Sequence, residues 1–355
     1  MRLCQSKSLK APIDDSVGAL VDRPEPGAKL AASTRRKRGM LRAFGVTSFV
    51  IAVLAAAGAG YEFFAGSDDS DHYPAPGRLV DIGGFRLHVA CVGQGTPTVI
   101  LDAGLGGSSL DWALIQDRLS ANVQVCAYDR AGMGWSDVGP HPRSPGQIAN
   151  ELRTLLSSAG VPGPYVLVAH SLSGKSARLF ADAHPEDVAA MVLVDTRSEQ
   201  MDAKTPPAEF GAFRTALARQ ATLLSLARRL GLVRLIGPSL ADQPTLPPGV
   251  GFEMLLLQTQ PKSLDATMQE GLARSENDAA LSGASLGAIP LVVIAAGDSM
   301  TGIPGWAEAQ AGLSALSTNG RMVVAEGSSH SVHTDQPEVV IDAVLSVLDA
   351  VATEN

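Results

Sequence analysis

The residues best suited to nucleophilic chemistry lie in the segment AHSLSG at 169–174, between a predicted strand and a predicted helix. A serine hydroxyl is a weak nucleophile, and it becomes reactive when a tight strand-to-helix turn holds it out of the backbone. Such a turn brings the residues two before and two after the serine close together, so both must be small. Ala169 and Ser173 meet that requirement. The context predicts Ser171 as the nucleophile; Ser173, which we expect inside the helix, is the less favoured alternative.

The elements that must position this serine alternate along the chain. The segment YVLVAH at 165–170 is apolar on both faces, which is typical of a strand inside a parallel sheet that helices cover on both sides. Other β-rich segments precede and follow it, at 77–82, 85–92, 98–103, 123–129, 190–195, 290–296 and 321–326. A β-hairpin followed by repeated strand-helix units predicts the α/β fold class, with a mostly parallel central sheet flanked by helices.

One segment interrupts the alternation. Residues 196–286 contain several helical patterns and no convincing strand, and they are too many for a loop. They predict a helical cap between the sixth and seventh strands, lying over one end of the sheet as an active-site lid would. The alternative is a separate helical domain that does not contact the site.

Four segments together resemble the α/β-hydrolase superfamily, over about residues 78–353. They are VLVAHSLSG, DAGLGGSSLDW at 102–112, CAYDRAGMGWSD at 126–137 and GSSHSVHTDQPEVV at 327–340. The resemblance implies the α/β-hydrolase fold and a triad in the order serine, acid, histidine. It also implies an oxyanion hole made of two backbone amides, here those of Leu172 and Leu105.

The resemblance places the general base where the last strand ends, and His330 directly follows a Gly-Ser-Ser turn there. His333 is the nearest rival, with a loop histidine as its ordinary role. His170 is beside the nucleophile, and we expect it to pack or to form a local hydrogen bond.

The acid is expected just after the penultimate strand, where Asp298 follows Gly297. Asp195, after the preceding strand, is the alternative acid. Asp129 is interpreted as a structural residue of its turn, with Arg130 as partner. Lys175 follows Gly174, the glycine of the strand-to-helix turn at Ser171, at a position where a small or apolar residue is common in the family. We expect its side chain to point to solvent.

These residues imply acyl transfer to serine and hydrolysis of a carboxylic ester, which could be a lipid or another hydrophobic ester. A serine in place of an aspartate nucleophile disfavours epoxide hydrolysis. Thioester, lactone or amide hydrolysis stays open, as does a non-catalytic ligand-binding or receptor-like member of the same fold. We expect no cofactor, and the three cysteines have no metal-binding spacing.

The N-terminus differs in charge from the rest of the chain. Residues 1–42 hold ten Lys or Arg against four Asp or Glu, and an uncharged run of 19 residues follows at 43–61. The predicted organisation is a disordered basic cytoplasmic tail (1–42), a transmembrane helix or signal anchor (43–62), a linker (63–77) and the hydrolase domain (78–353), which would be extracytoplasmic. A cleaved signal peptide, which would give a secreted protein, and a buried core helix are the alternatives.

The remaining residues are acidic, with 18 Lys or Arg against 32 Asp or Glu, and this balance argues against a nucleic-acid partner. The expected partners are a small-molecule ester and the membrane, through residues 43–62; the oligomeric state stays open. Cys91 and Cys126 fall in predicted strands. An exported domain permits a disulfide between them, but two buried thiols are the favoured interpretation.

Overall fold

The computed structural model describes residues 26–67, 69–241 and 245–354. The chain divides into two compact units, Met1–Ala55 and Ala56–Asn355. Helix α1 (Pro26–Ser67) contributes to both, and α2 (Asp69–His72) follows it. Residues 26–42, predicted to be disordered, are therefore helical, and so are most residues of the first half of the predicted linker. The structure does not describe residues 1–25 of the predicted tail.

Within helix α1, the segment Arg35–Ser67 is long and apolar enough to cross a membrane by its length and composition. Its large apolar side chains are exposed, including Phe44, Phe49 and Ile51. A buried core helix, one of the alternatives considered for this segment, does not fit such exposure.

The second unit is built on an eight-stranded sheet in the order β1-β2-β4-β3-β5-β6-β7-β8. The β1-β2 and β2-β4 pairs are antiparallel and the others are parallel, which confirms the predicted hairpin and mostly parallel sheet. The strands are β1 (Arg78–Asp81), β2 (Arg86–Val92), β3 (Thr98–Asp102), β4 (Val125–Tyr128), β5 (Tyr165–His170), β6 (Val188–Val194), β7 (Leu291–Ala296) and β8 (Gly320–Ala325).

Helices cover both faces of this sheet. Outside the insertion they are α3 (Gln116–Leu119), α4 (Pro145–Ala159), α5 (Ser173–Ala183), α12 (Gly297–Gly302), α13 (Trp306–Ser314), α14 (Val332–Asp335) and α15 (Pro337–Glu354). Short 3-10 helices occur at Ser109–Trp112 and Pro185–Asp187.

Strand β5 shows why the chain forms two apolar cores. Leu167 and Ala169 pack with α4 and α5 on one face, and Val166 and Val168 pack with α15 on the other. Because side chains of a strand alternate between the two faces, an entirely apolar strand requires a helix layer on each side.

The insertion between β6 and β7 is helical, as predicted. It comprises α6 (Glu199–Lys204), α7 (Pro207–Arg229), α8 (Leu232–Ala241), α9 (Val250–Gln258), α10 (Pro261–Ala273) and α11 (Asp278–Leu281). These helices are called the cap below.

Cys91 and Cys126 form a disulfide, contrary to the favoured interpretation as two thiols. The two residues are register partners on the antiparallel strands β2 and β4, and their Cα atoms are 4.0 Å apart. The strand pairing that brings the two sulfurs together is a long-range feature that no local pattern of the sequence contains.

Candidate active site

Ser171 occupies the turn between β5 and α5. Its φ of 55° lies in the left-handed region, where residues other than glycine are strained. The turn is held in place because the Ser171 amide donates to the Val194 carbonyl at 3.0 Å and its carbonyl accepts from the Arg197 amide at 3.2 Å. Ser173 is buried, and its hydroxyl donates to the carbonyls of Asp102 and His170. Of the two serines, Ser171 therefore lies at the turn and Ser173 inside the fold.

A continuous hydrogen-bonded series connects three side chains. The Nε2 atom of His330 lies 2.8 Å from the Ser171 hydroxyl oxygen, and its Nδ1 atom lies 2.6 Å from Oδ2 of Asp195. His330 is partly exposed on the segment after β8, whereas Asp195 is fully buried at the end of β6. The carboxylate thus fixes the imidazole ring so that its second nitrogen faces the serine.

Asp195 is held by several donors besides His330. Its Oδ1 accepts from the Ala296 amide at 2.9 Å and from the Trp306 indole at 2.8 Å, and its Oδ2 accepts from the Ser299 hydroxyl at 2.6 Å. A buried carboxylate that accepts this many hydrogen bonds keeps one orientation and has its charge compensated.

The structure does not place Asp298 at His330, contrary to the prediction. Helix α12 begins at Gly297, directly after β7, and Asp298 is an exposed residue of its first turn. The next residue, Ser299, faces inward and donates to Asp195. Because the helix begins without an intervening loop, the position that follows the glycine points to solvent.

His170 and His333 lie near His330, and both are buried. Burial, together with the neighbouring rings of His333 and His330, holds the pKa of His170 well below its usual range. Its Nε2 lies 2.9 Å from the His330 carbonyl, so the neutral ring donates and supports the His330 backbone, as the predicted local role requires.

Burial and the nearby His330 lower the pKa of His333 to about 4. The ring of His333 packs on Trp112 and His170.

The loop after β3 approaches the serine closely. A Cβ atom at Gly104 would lie 3.2 Å from the Ser171 Cβ and 2.7 Å from a ring nitrogen of His170, so only glycine fits there. The adjacent Leu105 amide and the Leu172 amide at the start of α5 have no intramolecular acceptor among residues 26–67, 69–241 and 245–354. Both amides are therefore available to an oxyanion at the serine.

Arg130 holds this loop, a role that the sequence did not reveal. Its guanidinium donates to the carbonyls of Ala103 and Gly104 and to Asp102, and it pairs with Glu270 of α10 at 2.9 and 3.0 Å. All of these side chains are buried. One signal in the sequence could have indicated an inward-facing acid in α10. It is the helical spacing of Ser263, Ala266 and Glu270, which all lie on the buried side of that helix.

Asp129 was predicted to be structural with Arg130 as its partner, and the partner was wrong. Asp129 is fully buried and accepts from the backbone amides of Ser109 and Trp135. Asp129 therefore has a role within its own turn, as predicted, whereas Arg130 contacts the loop after β3.

Lys175 was expected to point to solvent but is fully buried. Its ammonium lies 2.5 Å from carboxylate oxygens of both Asp202 and Asp278 and donates to the Arg274 carbonyl. Asp202 and Asp278 belong to helices α6 and α11 of the cap, and Arg274 directly follows α10, so the lysine connects α5 to the insertion.

A cavity of about 490 Å³ lies over Ser171, between the sheet and the cap. Ser171, His330, Leu105 and Gly106 line one side, and cap residues line the other, chiefly Phe213, Leu217, Leu224, Leu264 and Thr267. The cap therefore contacts the site, and the alternative of a separate helical domain was wrong.

Comparisons with known proteins agree with this architecture. The family model described as "Alpha/beta hydrolase family" matches residues 99–343, which is more than half of the chain. The chain belongs to the α/β-hydrolase family. The predicted resemblance to that superfamily and its fold is confirmed.

Two solved structures have the same fold. The epoxide hydrolase CorEH is 22% identical with a TM-score of 0.61, over 77% of this chain and 98% of its own. A thermophilic esterase from Thermogutta terrifontis is also 22% identical, with a TM-score of 0.59 and the same coverage. These identities establish a common fold alone.

A curated relative, "Probable transporter efuK" from Hormonema carpetanum, is 34% identical over 136 residues. The match covers 36% of this chain and 20% of that protein. The chain therefore spans about a fifth of the length of that relative.

Proposed function

We propose that this α/β-hydrolase is a serine hydrolase that cleaves a carboxylic ester through an acyl-enzyme on Ser171. The observation that carries the proposal is the hydrogen-bonded series from the Ser171 hydroxyl through His330 to the buried Asp195. The three groups have the geometry in which an imidazole accepts the proton of a serine as the serine attacks a carbonyl carbon.

In the proposed reaction, the Ser171 oxygen bonds to the ester carbon while its proton moves to Nε2 of His330. The resulting imidazolium is stabilised by Asp195, which holds Nδ1–H. The tetrahedral oxyanion accepts hydrogen bonds from the Leu105 and Leu172 amides. Collapse of this intermediate expels the alcohol, which takes the proton from His330. Water, deprotonated by His330, then attacks the acyl-enzyme. Collapse of this second tetrahedral intermediate breaks the bond to Ser171, which takes the proton back from His330 as the acid is released.

The environment of the serine supports this assignment over a purely ligand-binding role. The left-handed φ of Ser171 is a strained conformation that exposes its hydroxyl to the cavity, and the two amides of the oxyanion hole lack other acceptors in the described chain. A ligand-binding pocket requires neither the strain nor the aligned base.

Labelling with a fluorophosphonate probe tests the nucleophile. The probe should phosphonylate the full-length protein and fail to label Ser171→Ala. Ser173→Ala is the matched control, because that serine is two residues away and bonds only to backbone carbonyls; its folded fraction should still be labelled. Labelling of Ser171→Ala equal to wild type would refute the proposal.

We also propose that the chain is a single-pass membrane protein with its hydrolase domain outside the cytoplasm. The apolar segment of α1 is flanked by basic residues on its N-terminal side, namely Arg35, Arg36, Lys37, Arg38 and Arg42. Such an excess of positive charge stays in the cytoplasm. The disulfide between Cys91 and Cys126 supports the same orientation, because disulfides persist in oxidising compartments.

Cys4 provides a test of this orientation, because the other two cysteines are bonded to each other. A membrane-impermeant maleimide applied to spheroplasts should label Cys4 only after permeabilisation. An added cysteine at the exposed Ser285 of the hydrolase domain should be labelled in intact spheroplasts. The opposite pair of results would reverse the proposed orientation.

A further inference from the structure

Helix α8 of the cap carries large apolar side chains on its exposed side. Leu232, Leu235, Ile236 and Leu240 are all exposed, and the exposed fractions of Leu235 and Leu240 are each 72%. Their spacing of three, four and eight residues from Leu232 places them on one side of the helix, which we call the α8 apolar face. Val233 and Gly237 are buried, and Arg234 lies on the side of the helix away from the α8 apolar face. An exposed group of large apolar side chains of this kind is suited to a site from which water is absent.

The end of α7 extends this exposed apolar surface. Leu223 and Leu226 are exposed large apolar side chains in the last two turns of α7, directly before α8 begins. Leu230, the C-cap residue of α7, lies at the corner between the two helices. Several large exposed side chains are thus grouped on one corner of the cap, whereas single exposed apolar residues need no explanation.

This corner is attached to the last turns of helix α1 by ion pairs. Glu62 lies 3.1 Å from Nε of Arg228 and 2.8 Å from Nε of Arg234, and Asp69 pairs with the same two arginines. Residues 56–67 of α1 belong to the same compact unit as the cap. The corner therefore has a fixed position relative to the point where the uncharged run of α1 ends.

Backbone packing makes the attachment close. A Cβ atom at Gly58 would lie 2.1 Å from the Leu230 carbonyl oxygen, and one at Gly231 would lie 2.7 Å from the Gly58 carbonyl oxygen. Glycines at both positions allow the two backbones to touch, as small residues do where helices pack closely. The contact occurs one turn before Glu62, inside the uncharged run.

Helix α1 also carries aromatic residues next to Glu62, where its uncharged run ends. Phe63 and Phe64 directly follow Glu62 and are 74% and 71% exposed. Phenylalanine side chains are common on the apolar face of helices that lie at a membrane–water interface. The charged corner, the exposed aromatic residues and the α8 apolar face consequently lie at the same end of the span.

We propose that the α8 apolar face lies in the bilayer leaflet that helix α1 enters, and that the enzyme takes its ester from that leaflet. The second part rests on the proposed function. The occupant is a lipid bilayer because the corner that carries this face is ion-paired to Glu62, at the end of the uncharged run and beside the exposed Phe63 and Phe64. Short apolar helices bury one face at the acyl-headgroup boundary in this way.

The position of α7 connects the leaflet to the cavity. Phe213, Leu217 and Leu224 of α7 line the cavity over Ser171, whereas Leu223 and Leu226 of the same helix are exposed. One helix therefore separates the exposed apolar surface from the catalytic serine. In the proposed route, the acyl chain of the ester passes along α7 from the leaflet to the cavity.

Quenching by brominated lipid tests the docking without requiring activity. The full chain carrying Cys4→Ser and Leu240→Cys, or Leu235→Cys, is labelled with an NBD dye and reconstituted in phosphatidylcholine vesicles. Both sites should show blue-shifted emission and at least about twofold quenching by brominated phosphatidylcholine. Val138→Cys, which replaces an exposed valine outside the cap, should show neither. Unquenched emission at both cap sites would overturn the proposal, and a blue shift without quenching would mean that a second copy covers the face.

Activity in the same vesicles tests the origin of the substrate. Leu235→Asp/Leu240→Asp should hydrolyse 4-methylumbelliferyl oleate in the bilayer at least about tenfold more slowly than wild type, while soluble 4-methylumbelliferyl acetate is cleaved within about twofold of the wild-type rate. Val138→Asp is the matched control and should change neither rate. An unchanged oleate-to-acetate ratio in the double variant would refute delivery from the leaflet. Absence of both activities and of Ser171 labelling in wild type would instead refute the proposed function, and the quenching result would still decide the docking.

Discussion

At the residue scale, the surroundings of Asp298, the expected acid, and of Asp195, its alternative, are different. Asp195 is buried and accepts from His330 and from three further donors, whereas Asp298 is exposed on the first turn of α12. A carboxylate can orient an imidazole only when its own orientation is fixed. Asp195 alone of the two satisfies that condition.

We expect Asp195→Asn to reduce kcat for a soluble ester by on the order of 10³ to 10⁴, because an amide would stabilise the wrong tautomer of His330. Asp298→Asn should leave kcat within about twofold of wild type, since a surface substitution away from such contacts has little effect. Steady-state kinetics on both variants, with circular dichroism to verify folding, measure the difference. A large loss in Asp298→Asn alone would mean that the exposed aspartate is the acid.

His333 should make stability depend on pH. Its pKa falls from 6.5 to about 4 on folding, because burial disfavours the charged ring. The unfolded chain therefore binds more protons between these values, and stability rises with pH across that window. The contribution, up to about 3 kcal/mol, is fully present above about pH 6.5 and is lost as the pH falls toward 4.

Urea unfolding in detergent at about pH 4.5 and about pH 7.5 measures this contribution. Wild type should lose more stability than His333→Gln between the two pH values, because glutamine does not titrate. Equal losses in the two proteins would assign the pH dependence to other groups, such as the buried His170.

At the element scale, the cap and the sheet are joined by buried charges. Arg130 links the loop after β3 to Glu270 of α10, and Lys175 links α5 to Asp202 and Asp278. Removing one partner of such a pair leaves a charge in a site without water, which costs far more than the intact pair contributes. The placement of the cap over the cavity depends on these connections.

We expect Glu270→Ala to reduce the free energy of unfolding by about 1.5 to 3 kcal/mol, because the buried Arg130 would lose its hydrogen bonds to Glu270 and keep only Asp102 as a carboxylate partner. Glu338→Ala is the matched control: it removes an arginine partner, Arg118, but the pair is exposed. It should have little effect on the free energy of unfolding, because solvent screens an exposed pair. Urea denaturation of the two variants makes the comparison, and equal losses would show that the buried pair has no special role.

At the scale of the whole molecule, the disulfide constrains the unfolded chain. Cys91 and Cys126 are separated by 35 residues, so their bond closes a loop of that size in the unfolded state. Closing the loop removes conformational freedom that the unfolded chain would otherwise have. The stabilisation applies to the hydrolase domain as a unit.

We expect Cys91→Ser/Cys126→Ser to lower the free energy of unfolding by about 2 to 4 kcal/mol. Thermal unfolding with and without dithiothreitol measures the effect. Reductant should lower the Tm of wild type and leave that of the double variant unchanged. A wild-type Tm insensitive to reductant, with the thiols shown to be reduced, would contradict this expectation.

Much of this protein was determined by local patterns in its sequence. An apolar strand followed by small residues around Ser171 predicts the elbow, because strand periodicity and the steric demand of a tight turn are local properties. The order of strands and helices predicts the mostly parallel sheet, and the long segment without strands predicts the cap. The basic residues at 35–42 followed by the uncharged run at 43–61 predict the candidate anchor, because charge and hydropathy are also local properties of the sequence.

Tertiary structure alone decided which distant residues meet. The contact of Asp195 with His330 follows from the strand order β6-β7-β8 and from the immediate start of α12 after β7, which turns Asp298 outward. The β2-β4 register brings Cys91 to Cys126, and docking of the cap buries Lys175 and brings Glu270 to Arg130. Each of these pairings is between residues far apart in the chain, and the free energy that selects it comes from packing the whole domain rather than from any local sequence preference.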